Sequence, residues 1–162
     1  CHLGGSSSLC AISAGKSLGA SMGMSPQSGL PNNNRAGDFD PFAIPLIQRE
    51  TGLDVPAILD RLASDGGLKG VSGVGADLRD VESAADGGNK RAQLAMDVFV
   101  ASIRDYLGSF LVRLGGLDAI VFTGGIGENS HRIRKAVCQG LEEIGIKLDD
   151  AKNGSVKGEG TI

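Results

Sequence analysis

The sequence predicts a single α/β domain, and three observations carry that expectation. The last third orders a short β-branched run, a glycine-rich segment, an amphipathic stretch and another short apolar run, which is the pattern of a strand–turn–helix–strand unit. Residues 90–114 repeat apolar side chains at three and four, the period of a helix with one buried face. Near the start, two short runs flank Ala14-Gly15 as the arms of a hairpin would. A chain of 162 residues is long enough for one domain with its own core.

In chain order, Ser8 to Ser13 and Lys16 to Ser21 are the hairpin arms. Met22 to Asp38 has neither period and is dense in Gly, Pro, Ser and Asn, so it reads as a long loop, a length that in compact domains goes with function or disorder. Asp40-Pro41 is an N-cap followed by a first-turn proline, and a helix runs from there toward Glu50 with a restart at Pro45. Asp54-Val55-Pro56 opens another. After a glycine-rich stretch from Asp65 to Gly75, Asp77 to Ala85 is a helix stopped by Gly87-Gly88. The Lys90 to Leu114 helix turns Leu94, Val98, Phe99, Ile103, Tyr106, Leu107, Phe110 and Leu114 inward. Asp118 to Thr123 then predicts a buried strand, Gly124 to Ser130 a loop, Ser130 to Ile144 a helix with Ile133, Val137, Leu141 and Ile144 on one side, and Ile146 to Leu148 a further strand.

Composition excludes several classes. The 26 glycines carry no G-X-Y period and only 5 prolines accompany them, so neither collagen nor Pro-rich disorder fits. With 16 Lys+Arg against 19 Asp+Glu and no basic block, nucleic acid is not an expected partner. No apolar run reaches the ~18 residues of a membrane span. Cys1, Cys10 and Cys138 are odd in number and widely spaced, which suits a reducing, cytoplasmic setting and offers no metal pattern. The polar segment 151–162 reads as a connection, and both ends read as cut from a longer protein.

Three segments could carry chemistry. Gly124 to Ser130 lies between a strand end and a helix start, where free amides and the helix dipole favour anions; as a bare pattern it is equally a tight structural turn. His2-Leu-Gly-Gly-Ser-Ser-Ser8 places small residues, amides and hydroxyls before the hairpin, suited to phosphate oxygens or to an ordinary turn. Arg35 brings a planar, permanently charged fork into the long loop, with Asp38 beside it to hold the arginine, to bind a hydrated Mg²⁺ or to cap the turn.

Together these segments resemble the acetate kinase family of short-chain carboxylate kinases. The resemblance rests on His2-Leu-Gly with its following small residues, Ser21-Met-Gly-Met-Ser-Pro26 leading to Arg35-Ala-Gly-Asp-Phe-Asp-Pro41, Asp77-Leu-Arg-Asp80, and Asp118-Ala-Ile-Val-Phe-Thr-Gly-Gly-Ile-Gly-Glu-Asn-Ser130, in that order. It implies a ribonuclease H-like α/β fold, shared with actin, Hsp70 and sugar kinases, with mixed sheet flanked by helices. Residues 1–150 would be an incomplete C-terminal nucleotide-binding domain. The activity implied is reversible transfer of the γ-phosphoryl of ATP to acetate, propionate or butyrate; a nucleotide-binding module without catalysis is the alternative.

By the same resemblance His2 and Arg35 would be catalytic, with Arg35 and Pro26 binding the carboxylate. His2, Leu3, Gly4, Gly5 and Ser6 would hold phosphates, Asp77, Leu78 and Arg79 the adenosine end, and Gly125, Ile126, Gly127, Glu128 and Asn129 would wrap the nucleotide. ATP/ADP and Mg²⁺ would be the cofactors, the metal's protein ligands lying outside this chain, and the partner a second copy in a homodimer. The chain departs from the family at Gly5-Ser6, where Asn-Gly is usual, at Pro31 to Asn34, where a Met-Met-Gly-Thr-like run is usual, and at Leu78, where an aromatic is common.

Overall fold

A computed structural model describes all residues, 1–162. The hairpin forms as β1 (Cys10–Ser13) and β2 (Lys16–Ala20), antiparallel, with Cys10 opposite Ala20 and Ser13 opposite Lys16. Its turn uses Ala14 at φ 49° and Gly15 at φ 73°, the two left-handed positions that match strand twist. The pairing shifts between Ala11 and Ile12, a bulge that lets Ala11 bury while Ile12 and Leu18 stay exposed. Residues 21–40 contain no helix or strand.

The Asp40 carboxylate caps a 3₁₀ turn at Pro41–Ala43, which runs into α1 (Ile44–Thr51). Asp54 caps α2 (Val55–Ser64) through the Ala57 amide. A short helix α3 (Gly67–Ser72) sits inside the glycine-rich stretch where the sequence predicted none, because its stabilisation comes from long-range contacts and not from propensity. The helices α4 (Leu78–Asp86) and α5 (Lys90–Leu114) form where the sequence predicted them, capped by Asp77 and Asn89.

Helix α5 is the axis of the core and touches α3, α4, β1, β2 and α7 (His131–Cys138). The buried stripe is Ala92, Ala95, Met96, Phe99, Ile103, Leu107 and Phe110. Leu94 and Val98, expected inside, are 52% and 37% exposed, since the stripe rotates to place small alanines where α3 and α4 approach.

The last third differs most from expectation. Asp118 to Thr123 is neither a strand nor buried: its hydrogen-bonded neighbour is Cys1–Leu3, the pair closes as one parallel bridge, His2 to Thr123, and Val121 is 64% exposed. Gly124 to Asn129 is a helical turn, α6, in place of a loop. Helix α7 stops at Cys138, and Ile144 is 54% exposed beyond a left-handed Gly140; Ile133, Val137 and Cys138, with Arg134, supply its buried face. Residues 146–148 pair with nothing, so no second strand follows. Within 151–162, α8 (Asp150–Ser155) packs against α7. No helix is long and apolar enough to cross a membrane.

Candidate functional site

The first eight residues fold back on themselves and against α6. His2 and Ser8 exchange both backbone hydrogen bonds at 2.9 Å, so residues 3–7 form a closed loop. The loop lies along Thr123: the Leu3 amide donates to the Thr123 carbonyl at 2.7 Å, and the Thr123 amide donates to Cys1 at 2.9 Å. Inside it, the Ser7 hydroxyl donates to the Gly4 carbonyl at 3.1 Å and Leu3 is fully buried, so the loop is held by its own core anchor.

The exposed His2 ring stands over the start of α6. Its Nδ1 lies 3.0 Å from the Thr123 hydroxyl, which fixes the ring plane and leaves Nε2 on the Gly4 side. Gly124, at φ 79°, has no room for a side chain, because a Cβ would sit 2.6 Å from the Leu3 carbonyl oxygen and 3.1 Å from the His2 ring.

The long loop returns to this place. The Arg35 guanidinium donates from Nη1 to the Ser6 hydroxyl at 3.0 Å, and the Ser7 amide donates to the Asn32 side-chain oxygen at 2.5 Å. The loop's backbone is pinned from behind: the Leu68 and Lys69 amides donate to Asn32 and Asn33 at 2.9 and 2.8 Å, and the Gly66 amide to Asn34 at 3.0 Å. Gly67, at φ 58°, makes that approach possible, since a Cβ there would collide with the Asn32 carbonyl and lie 2.7 Å from that of Arg35. His2, Arg35 and the Ser6 hydroxyl thus border the same loop, a set that can donate hydrogen bonds and positive charge to phosphoryl or carboxylate oxygens.

A model of the acetokinase family matches residues 1–162. The chain belongs to that family. It is 52% identical over 153 residues to a propionate kinase of Citrobacter rodentium, covering 94% of this chain and 38% of the relative. Over the same length it is 49% identical to an acetate kinase of Treponema denticola, again covering 94% of this chain and 38% of the relative. The solved structure of Porphyromonas gingivalis acetate kinase superposes with a TM-score of 0.92 at 40% identity, covering 98% of this chain and 40% of that one. The chain therefore has the ribonuclease H-like α/β fold its motifs implied, and it spans about two fifths of the length of these relatives.

In this chain the expected phosphate loop and Arg35 do meet, whereas other expected residues stand elsewhere. Pro26 is exposed at the tip of a turn closed by the Ser28 hydroxyl, outside the hydrogen-bonded cluster. Asp38 does not hold Arg35; its oxygens accept from the Gly29 amide at 2.8 Å and from the Tyr106 hydroxyl at 2.5 Å. Leu78 is 5% exposed and belongs to the core, leaving Asp77 and Arg79 as the solvent-facing members of their motif. The Arg79 side chain donates to Asp77 at 3.0 and 2.6 Å, and this pairing, with the Arg79 amide behind it, holds the Asp77 carboxyl down at about 2. The motif is joined to α6 one turn on, where the Ser130 hydroxyl donates to Glu82 at 2.9 Å.

The amides at the start of α6 are not free for an anion. Gly124 donates to the Glu128 carboxylate at 3.1 Å, and both Ile126 and Gly127 donate to the Leu3 carbonyl at 2.9 and 3.0 Å. Gly125 remains open, with nothing within 4 Å of where its Cβ would stand, and the Asn129 side chain donates back to its carbonyl at 2.8 Å. Sequence reasoning missed Thr123 as the His2 partner and Arg134 as the support of α6. Arg134 is buried without a carboxylate and donates to Gly127, to Glu128 and twice to Asn153. Burial lowers its pKa. An arginine in an amphipathic helix looks like a surface residue, and nothing local marks it otherwise.

Proposed function

We propose that this chain is the nucleotide-binding, phosphoryl-transferring part of a kinase that phosphorylates a short-chain carboxylate with ATP, reversibly. A carboxylate oxygen attacks the γ-phosphorus, the bond to the β-phosphate oxygen breaks, and an acyl phosphate and ADP result. The observation that carries this reading is the convergence of Arg35 on Ser6, beside His2 and across 29 residues of sequence. Phosphoryl transfer depends on positioning and on stabilising charge spread over the equatorial oxygens, and a fixed guanidinium and imidazole suit that need.

In this reading Arg35 binds the carboxylate and the transferring group, and His2 binds the transferring group through Nε2. The His2 to Ser6 loop holds phosphates, Asp77 and Arg79 meet the adenosine end, and Gly125 to Asn129 flank the nucleotide. Open space at Gly125 supports the last placement, since a ribose or base can approach the backbone there. ATP brings Mg²⁺ with its phosphates, and the metal's protein ligands are assigned to segments outside this chain. The relatives' names, propionate kinase and acetate kinase, support a small aliphatic acid as substrate. A single methylene is worth only ~1–3 kcal/mol in a pocket, so both acids are expected to react. Association into a homodimer is part of the same proposal, and light scattering on the intact protein tests it.

The deciding experiment is hydroxamate trapping of acyl phosphate by the intact protein with Mg-ATP and acetate, propionate or butyrate. Product with any acid, and a loss of turnover by about two or more orders of magnitude in Arg35→Ala, are expected. No product with all three acids would overturn the proposal.

A further inference from the structure

We propose that Asn33 is a further phosphate-binding residue, its side-chain amide standing beside Gly5 at the rim of the His2 to Ser6 loop. The proposal rests on the kinase reading above for the identity of the ligand. Its geometry is independent of that reading.

Gly5 is exposed and lies outside the left-handed region, so its backbone admits any residue. A Cβ built there would meet a single heavy atom within 4 Å, the Asn33 Nδ2, at 3.6 Å. A side chain at position 5 would thus lie in ordinary contact with the amide of Asn33, and the two positions border one place at the rim of the loop.

Asn33 is held firmly enough to act as a ligand. Its carbonyl accepts from the Lys69 amide, and its two neighbours are tied to Leu68, Gly66 and Ser7. The side chain is oriented as well: Oδ1 is buried with no hydrogen-bond partner, while Nδ2 makes no hydrogen bond in the chain and faces the Gly5 side. A side-chain amide with its oxygen buried and its N–H₂ turned outward offers two donors and no exposed acceptor there, which matches a phosphoryl oxygen. The group available to a ligand is therefore Nδ2, which has no partner within the chain. Arg35, two residues on, binds Ser6, so His2, Asn33 and Arg35 surround the same loop.

The test uses the intact protein and two readouts, ADP affinity by calorimetry and the steady-state KM for ATP. Asn33→Ala is expected to weaken ADP binding and raise the KM for ATP about tenfold, with the KM for the carboxylate changed less than twofold. Asn33→Asp keeps the shape but presents acceptors to the phosphates, so it should weaken ADP binding further. In the double variant Gly5→Asn with Asn33→Ala, an amide reaches the same space from the other strand and should recover most of the lost affinity, a rescue that a purely structural role would not produce. Asn33→Ala and Asn33→Asp both binding ADP within twofold of the unmodified protein would overturn the proposal, and so would a double variant as weak as Asn33→Ala. If the unmodified protein makes no acyl phosphate, the kinase reading fails while the ADP titrations still decide the role of Asn33.

Discussion

The Tyr106 hydroxyl donates to the Asp38 carboxylate at 2.5 Å across 68 residues of sequence, while the other oxygen of Asp38 accepts from the Gly29 amide. One carboxylate thereby fastens the glycine-rich loop that carries Arg35 to the central helix α5. Burial, with the Asp38 contact behind it, pushes the Tyr106 pKa up to about 12. Tyr106→Phe should cost about 0.5–1.5 kcal/mol in urea unfolding, the net worth of one partly exposed hydrogen bond. Because the folded pKa lies above the ordinary ~10, the contribution is complete below pH 10 and disappears as pH rises toward 12. Stability measured at pH 9 and 11 should fall more steeply in the unmodified protein than in Tyr106→Phe; equal slopes would contradict this.

Gly67 lets the Arg35 loop rest on the start of α3. Gly67→Ala combines a left-handed φ with a collision against the Asn32 carbonyl, so it should destabilise by more than about 1 kcal/mol and displace the loop. An unfolding midpoint equal to the original would refute the tight approach.

Arg134 joins α6 to α8 through four hydrogen bonds, and its removal strands several buried acceptors. We expect Arg134→Met to cost about 2–4 kcal/mol. Amide hydrogen exchange should accelerate in α6 and α8 before it does in α5. Uniform acceleration throughout would argue against a local brace.

Asp77 provides both a helix cap and a partner for Arg79. Since its carboxyl is held at about 2, its contribution is complete above the ordinary carboxylate range and is lost as pH falls toward 2. Asn can keep the cap but not the ion pair, so Asp77→Asn should preserve α4 where Asp77→Ala frays it. The carboxyl titration, followed by NMR, should move upward in Arg79→Ala. A midpoint that stays near 2 would show that the amide alone holds the charge.

Much of this architecture is legible in the sequence, because helix caps, prolines and apolar periods act within a turn or two of chain. Asp40, Asp54, Asp77 and Asn89 each cap the helix that follows, and the period over residues 90–114 marks α5 to its last residue. The order of the motifs likewise pointed to the acetokinase family. The tertiary structure alone decided what those segments meet. A β-branched run becomes a strand only when a neighbour supplies hydrogen-bond partners, and Asp118 to Thr123 finds only Cys1–Leu3. The Ile126 and Gly127 amides of α6 are taken by Leu3, more than a hundred residues away, and Asp38 turns to Tyr106 and not to Arg35. Asn33 comes to Gly5 only because the start of α3 holds its loop from behind. Such pairings depend on the path of the whole chain around α5, and no local pattern of residues encodes that path.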